Sequence, residues 1–160
     1  MAVDMFLKID TIKGESVDHK HAGEINVLAW SWGMSNSGSA HLGAGAGSGK
    51  VNVQDLSITK YIDKSSTELM LAACNGKHFK EATLYVRKAG EKPLEYLKIK
   101  FTEVLVTSVS TGGSGGEDRL TENVSLNFAK VNVDYTPQKA DGSGEATLSM
   151  GWDIAKNVKG

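Results

Sequence analysis

The sequence predicts a mainly β domain with one short helix. Its 160 residues include 18 glycines but only 2 prolines, a composition typical of strands joined by glycine turns. Apolar and polar residues alternate in several runs, as they do when successive side chains point to opposite faces of a sheet. The length fits a single domain, expected to span residues 1–160, that buries a sizeable core.

Seven alternating runs are predicted as strands, and three of them change phase partway along. A slip of one residue turns every following side chain to the other face, so each change requires a bulge or bend. The changes fall near Gln54-Asp55, Thr102-Glu103 and Ala129-Lys130. Bent long strands allow a sheet to close, so we expect a closed or partly closed β-barrel of two sheets. The runs are Val3–Ile9, Glu24–Gly33, Lys50–Tyr61, Glu81–Lys88, Leu94–Ser110, Arg119–Tyr135 and Ala146–Ile154.

One helix is predicted between the third and fourth strands. The residues Ser65-Ser66-Thr67-Glu68 match the capping-box pattern at a helix start. An apolar run, 69–74, follows, and Asn75-Gly76 supplies a left-handed stop. About three turns are too few to be stable alone in water, so the helix is expected to pack on the sheet or on another subunit.

Charge and cysteine content exclude several classes of protein. Lys plus Arg is 18 and Asp plus Glu is 19, which argues against general nucleic-acid binding because no basic surface would neutralise phosphates. The single cysteine, Cys74, forms no intrachain disulfide and is expected to be a buried apolar thiol. The first ten residues lack the apolar run of a signal peptide, so we expect a cytoplasmic protein that leaves the cell, if at all, without a cleaved signal.

A glycine-rich stretch, His41-Leu-Gly-Ala-Gly-Ala-Gly-Ser-Gly-Lys50, resembles a phosphate-binding loop. That motif requires a hydroxyl residue after the Gly-Lys pair, but Val51 stands there. It also requires a helix whose N-terminus faces the phosphates, whereas 51–53 reads as a strand. Nucleotide binding is therefore not predicted, and no cofactor is expected.

Metal binding and catalysis are not predicted either. Of the four histidines, His19 and His21 share one side of an extended segment, which we interpret as a solvated turn, and His41 and His78 are scattered. Structural zinc sites take four ligands, usually with cysteine among them. The serine of 113–116 lies in a turn between strands, not in the strand-to-helix elbow of a hydrolase. We expect no enzyme activity.

Two interpretations of the second strand are open. Leu28, Trp30, Trp32 and Met34 share one face, and Ala29, Ser31 and Gly33 form a small opposite face. In the first interpretation the tryptophans lie in the core and the small face lies on a surface. In the second the tryptophans are stacking platforms for sugar rings, and the protein is a secreted carbohydrate-binding or adhesive β-module.

Several blocks of the chain closely resemble the haemolysin-coregulated proteins (Hcp) of type VI secretion systems. The resemblance covers essentially the whole chain in order, although the tail, 140–160, is looser. It is carried by the opening Met-Ala-Val-Asp-Met-Phe-Leu-Lys-Ile, by Ile12–Ser16, Glu24–Gly33, Lys50–Ser57 and Lys60–Ser65, and by Ser110-Thr-Gly-Gly-Ser-Gly-Gly-Glu-Asp-Arg-Leu-Thr-Glu-Asn-Val124.

The resemblance implies a β-barrel subunit of a ring-shaped homohexamer. In this family such rings stack into a tube that fills a contractile sheath, carries a spike and is expelled into a neighbouring cell. The lumen of the ring can also hold small effector proteins before export. The expected partners are therefore further copies of the chain, sheath and spike proteins, and effectors, with no nucleic acid and no direct membrane insertion.

Three groups of candidate residues follow. Ala29, Ser31 and Gly33 are the candidate lumen surface, with Ser31 nearest to a cargo contact. Residues 35–49 lack a strand pattern and, as an out-and-back excursion at about 3.3 Å per residue, project up to about 25 Å. We therefore expect ring-stacking contacts from His41, Leu42, Gly43, Gly45, Gly47 and Gly49. Leu69 and Met70 on the helix are the candidate subunit interface.

Overall fold

The computed structural model describes residues 3–38 and 50–160, and the predicted mainly β architecture is confirmed. The described residues form eleven strands and one helix. The strands are β1 (Val3–Ile9), β2 (Ile25–Asn26), β3 (Ala29–Ser31), β4 (Met34–Asn36), β5 (Val51–Val53), β6 (Leu56–Tyr61), β7 (His78–Lys88), β8 (Leu94–Thr111), β9 (Thr121–Tyr135), β10 (Leu148–Asp153) and β11 (Val158–Lys159), and the helix is α1 (Ser66–Asn75).

The described strands form two antiparallel sheets, and β9 lies at the centre of the larger one. Strand β8 pairs along one side of β9. On the other side, β6 pairs with residues 121–126 and β10 pairs with residues 130–135. The sheet continues from β8 through β7 and β1 to β2, and from β6 to β3, while β4 and β5 form a separate hairpin.

A fully closed barrel is not found among the described strands. Two edge strands of the larger sheet, β2 and β3, are consecutive pieces of one extended segment, and β11 is a third edge, beyond β10. The amide of Val27 donates to Met5 O of β1 (3.0 Å), and the amide of Leu28 donates to Thr59 O of β6 (2.8 Å). The segment therefore changes partner within two residues, and no ladder joins its two halves.

The predicted bends occur where the sequence changes phase. Phe101 and Val104 are both buried, and so are Phe128 and Val131 on the facing strand. Glu103 takes a positive φ of 57° between the first pair. The two bends lie opposite each other, since Val104 pairs with Phe128, so the register between β8 and β9 is kept across them. The third phase change is the gap between β5 and β6.

The helix is confirmed, but its predicted capping box is wrong. Gly76 ends the helix with φ 68°, and its amide donates to Ala72 O at 3.0 Å. Ser65 makes no side-chain cap, because its hydroxyl donates to Asp63 Oδ1 at 2.5 Å instead. Ser66, the first helical residue, turns its hydroxyl inward to a buried cluster of charges.

That buried cluster, here the lysine cluster, consists of Lys60, Asp63, Ser66 and Glu122. Lys60 and Glu122 are both 0 % exposed. Lys60 Nζ lies 2.9 Å from Glu122 Oε2 and 3.0 Å from Asp63 Oδ1. The Ser66 hydroxyl donates to Glu122 Oε2 (2.8 Å) and accepts from Lys60 Nζ (3.2 Å) and from the Asp63 amide (2.9 Å). The cluster therefore fastens the start of the helix to β6 and β9.

Two further expectations about burial are wrong. His21 is only 4 % exposed, whereas its neighbour His19 is exposed as expected for a turn. Cys74 is exposed rather than buried, because the buried side of the helix carries Ser66, Leu69 and Ala72.

Candidate functional site

The small face predicted on the second strand lies on the surface of the subunit. Ala29 and Ser31 are exposed and Gly33 is half-buried, whereas the alternate residues Trp30 and Trp32 pack against the core. The first interpretation of this strand is therefore confirmed for the placement of these side chains. That the face lines a lumen remains a prediction.

The tryptophans are used for packing inside the subunit. The Trp32 ring lies edge-on to Phe101, with centroids 6.1 Å apart, and 6.3 Å from Phe128. Trp30 stands opposite the buried Ile58 of β6. Sugar binding requires an aromatic face open to solvent, so this geometry does not favour the carbohydrate-binding alternative.

The small face continues across three more strands as a surface that we call the neutral polar face. Strand pairing places Ser31 beside Ser57, Ser57 beside Ser125, and Ser125 beside Ser108. The next outward residues of the same four strands form a second row beside the first. The neutral polar face consists of Ala29, Ser31, Ser57, Thr59, Ser108, Ser110, Asn123 and Ser125, contributed by β3, β6, β8 and β9.

Short side chains on this face bond mainly to one another. Thr59 Oγ1 donates to Asn123 Oδ1 at 2.8 Å, and the hydroxyls of Ser57 and Ser125 are 3.4 Å apart. None of the eight residues is charged. A carboxylate, Asp55, lies beyond the end of the rows, where Thr107 and Asn127 donate to it. The face can therefore offer hydrogen bonds to a protein surface without selecting for its charge.

The sequence predicted two of these eight residues and missed the other six. The signal for the six was present in the outward parity of three strands, which reads Ser57 and Thr59, then Asn123 and Ser125, then Ser108 and Ser110. Only strand order brings the three pairs beside Ser31. Gly33 lies just past the end of β3 and is not part of the paired rows.

The helix presents a different surface from the one predicted. Leu69 is 0 % exposed and belongs to the core, so its assignment to a subunit interface is wrong. The reason is the helical period, which places Leu69 on the same inward side as Ser66 and Ala72. Met70 is half-buried, and Leu71 is 61 % exposed. Leu71, which the sequence did not single out, is the most exposed large apolar side chain of α1.

An apolar groove lies where the β4–β5 hairpin meets the sheet. Among the described residues, Met34 (46 % exposed) and Met150 (39 % exposed) are the most open side chains of its wall. The Trp152 Nε1 atom is buried there without a hydrogen-bond partner in the described part of the chain. The groove is lined by Met34, Val51, Val53, Val131, Met150 and Trp152.

The predicted stacking residues His41, Leu42, Gly43, Gly45, Gly47 and Gly49 lie outside the described residues. Lys50 is followed by strand β5, as the sequence indicated, and not by a helix. Within 3–38 and 50–160, no group of three or more His, Cys, Asp or Glu residues is arranged to hold a metal ion. No helix in these ranges is long and apolar enough to cross a membrane.

The family profile, the sequence relative and the solved structures that match the chain all carry type VI secretion or Hcp names. A family profile described as "Type VI secretion system effector, Hcp" matches residues 6–135. The protein Hcp1 of Pseudomonas aeruginosa is 70% identical over an aligned length of 161, gaps included, and the alignment covers 99% of each chain. The crystal structure of Hcp1 from Salmonella typhimurium matches with a TM-score of 0.83 and 42% identity, over 99% of both chains. A structure described as a type six secretion system protein matches with a TM-score of 0.94 and 31% identity, over 99% of this chain and 100% of that one.

These matches first define the class, which is the proteins of type VI secretion systems. The chain belongs to the Hcp family of that class. It is therefore a tube subunit of a type VI secretion system, and the resemblance seen in its sequence is confirmed.

Proposed function

We propose that this chain, as a single domain, forms homohexameric rings that stack into a tube and that the neutral polar face lines the lumen. The tube assembles in the cytoplasm inside a sheath, carries a spike and is then exported without a cleaved signal peptide. The observation that supports the lumen assignment is the composition of the neutral polar face, which is the uncharged, small-residue surface of four adjacent strands.

A neutral surface of this kind suits transient contact with many different proteins. Charged pairs across an interface select partners by complementarity and reject like charges. Serine, threonine and asparagine side chains make only hydrogen bonds, each with a modest net free energy of about 1 kcal/mol. Effector proteins would then be held by many weak contacts and released when the tube comes apart.

The ring requires two different patches, because a closed head-to-tail ring repeats one contact between unlike surfaces. We assign one patch to Met70 and Leu71 on the helix. The second patch is the apolar groove at Met34 and Met150, at the hairpin edge of the sheet. Exposed apolar groups of this kind are unfavourable in water and are stabilised by burial against another subunit.

Oligomeric state tests this proposal directly. Light scattering with size exclusion should give a mass of about six chains, and negative-stain images should show rings. Substitution of Met150 or Leu71 by Arg should shift the population toward monomers. Ser149→Arg is the control, since Ser149 is exposed on the opposite face of β10 and does not line the groove. A monomer of the unaltered chain at high concentration would contradict the ring.

Cargo contact is tested by enlarging one residue of the neutral polar face. Ser31→Tyr should keep the hexameric mass and reduce the amount of effector that copurifies by about tenfold, equivalent to about 1.4 kcal/mol. Ser149→Tyr is the matched control, because Ser149 is exposed on β10, outside the neutral polar face. Loss of the ring in Ser31→Tyr alone would show that the face is buried between subunits instead.

Stacking is tested separately. Deletion of residues 43–49 should leave hexamers intact and abolish tubes in electron micrographs, since glycines allow backbones of neighbouring subunits to approach closely. Normal tubes after this deletion would contradict a stacking role for the segment.

A further inference from the structure

The segment 13–24, between β1 and β2, is held against the sheet mainly by side chains. Within the segment, Gly14 N donates to Gly23 O (2.8 Å) and Gly23 N donates to Ser16 O (2.8 Å), so it folds back on itself. No strand of the larger sheet includes these residues. Three polar side chains fix the segment to the rest of the subunit: Glu15, whose Oε2 accepts from the Lys64 amide at 2.9 Å, and Asp18 and His21, which reach the larger sheet.

His21 lies between two aromatic rings and two carboxylates. Its ring stacks on Phe6 of β1, with centroids 4.5 Å apart, and lies 4.6 Å from Tyr85 of β7. Its Nδ1 atom is 3.0 Å from Glu24 Oε1 and 3.1 Å from Glu24 Oε2. Its Nε2 atom contacts Glu95 Oε1 of β8. We call His21, Glu24 and Glu95 the histidine cluster.

The number of N–H donors on the His21 ring limits which contacts the histidine cluster can make at one time. A neutral imidazole carries one N–H, whereas the imidazolium carries two. An ionised carboxylate can only accept hydrogen bonds, and His21 faces a carboxylate from each ring nitrogen. While both carboxylates are ionised, both contacts are made together only when both ring nitrogens are protonated.

Asp18, three residues earlier, is fastened in a different way. Arg87 of β7 donates to Asp18 Oδ1 at 2.6 Å and to Asp18 Oδ2 at 3.1 Å, which is the bidentate geometry of a strong ion pair. The same guanidinium reaches Asp4 Oδ2 at 3.2 Å and lies over the Phe6 ring. The hydrogen bond from Arg87 holds the pKa of Asp18 well below its usual range.

The surroundings of His21 carry both signs of charge. Burial raises the pKa of Glu24, although the nearby His21 and Lys8 act in the opposite direction. Burial, with the negative charges of Glu24 and Glu95, also raises the pKa of Tyr85. The charged or titratable groups around the ring are Asp4 and Lys8 on β1, Glu81, Tyr85 and Arg87 on β7, Glu95 and Lys98 on β8, and Asp18 and Glu24 in the segment itself.

We propose that the segment 13–24 is a pH-gated strap, clamped by imidazolium His21 between Glu24 and Glu95 and, three residues earlier, by Asp18 on Arg87. The two clamps respond to pH in opposite directions. Protonation of Asp18 releases the contact with Arg87 in acid, and loss of the second ring proton of His21 releases the histidine cluster as the pH rises. The strap is fully fastened only between these limits.

The direction in which each group changes the stability with pH follows from the linkage between protonation and folding. Asp18 has a depressed pKa, so its stabilisation is present above the unfolded carboxyl value of about 3.9 and is lost as the pH falls below it. Glu24 has a raised pKa, so the folded state gains from its proton and loses that gain as the pH rises. Deprotonation of His21 acts in this same direction, because the neutral ring has one N–H for two carboxylates.

Amide hydrogen exchange of the full chain tests the strap. Protection of residues 13–24, corrected for the intrinsic exchange rate, should pass through a maximum and fall at least about tenfold on each side. Nitrogen-15 shifts of the His21 ring at about pH 6 should show both nitrogens protonated. A neutral tautomer at that pH, or protection that rises steadily with pH, would overturn the proposal.

Matched variants separate the clamps from general damage. His21→Gln should abolish the fall at high pH, while His19→Gln, two residues away and exposed, should keep it. His21→Phe preserves the stack between Phe6 and Tyr85 and guards against a folding defect in the glutamine variant; it too should lose the fall at high pH. Identical pH profiles in the unaltered chain and in both His21 variants would overturn the proposal.

Discussion

The lysine cluster and the histidine cluster show two ways of burying charge in one small subunit. The lysine cluster joins the start of the helix to the sheet, the histidine cluster joins the segment 13–24 to it, and both place a cation between two carboxylates. The Lys60 ammonium carries three N–H donors for the oxygens around it, whereas the His21 ring must carry a proton on each nitrogen to donate to both carboxylates. The histidine cluster therefore depends on one ring proton in a way that the lysine cluster does not.

The two clusters also differ in how far their side chains are exposed to solvent. Lys60 and Glu122 are completely buried, so neither can turn to water when its partner is lost. Glu95, by contrast, keeps 31% of its side chain exposed, and water can replace a broken contact there. We therefore expect the contacts of the lysine cluster to persist in the folded state. Those of the histidine cluster can break at a small cost in free energy.

The largest expected effect comes from breaking the lysine cluster. Lys60→Met should lower the free energy of unfolding by about 3–5 kcal/mol, because it leaves Glu122 buried without a cation. Denaturant unfolding of the double variant Lys60→Met/Glu122→Leu should recover most of that loss, since an apolar pair avoids the cost of burying charge. A single variant that loses less than about 1 kcal/mol would show that water reaches this site.

A smaller effect should follow from loosening the strap without touching its charges. A Cβ at Gly14 would lie 2.5 Å from Glu24 O and 2.7 Å from Ile25 Cα, so Gly14→Ala must displace the backbone, at a cost of about 1–3 kcal/mol. Hydrogen exchange of residues 13–24 should accelerate by a similar factor at every pH. A change in the shape of the pH profile would mean that Gly14 also positions His21.

Two adjacent serines test which residue anchors the helix. Ser66→Ala should cost about 1–3 kcal/mol, because the hydroxyl makes three contacts inside the lysine cluster. Ser65→Ala should cost less than about 1 kcal/mol, since it loses only the bond to Asp63. Thermal unfolding of the pair gives the comparison, and the reverse order would restore the capping box predicted from the sequence.

The smallest effect at neutral pH is expected for Asp18→Asn. An amide still accepts from Arg87, but it carries no charge to lose in acid. The protection of residues 13–24 should therefore keep its fall at high pH and lose its fall below about pH 4. An unchanged acid limb in the exchange profile would assign that limb to another carboxylate.

Patterns of short range predicted much of the fold. The phase changes at Thr102-Glu103 and Ala129-Lys130 gave the places where β8 and β9 bend, and Asn75-Gly76 gave the end of the helix. The alternation of small and large residues around Ser31 predicted that the Ser31 side chain is exposed. The rest of the neutral polar face could not be read in this way, because Ser57 and Ser125 are 68 residues apart in the chain and meet only through strand order.

The sequence by itself therefore determined most of the strands, their bends, the helix end and the family, since each depends on neighbouring residues or on motifs in order. The short strands β4 and β11 lie outside every predicted run. Tertiary structure alone decided that Lys60 and His21 are buried. Their partners Glu122 and Glu95 lie 62 and 74 residues away, and a charged side chain is stable inside a protein only where such partners meet it. Local patterns in the sequence do not show which distant residues are in contact in the fold.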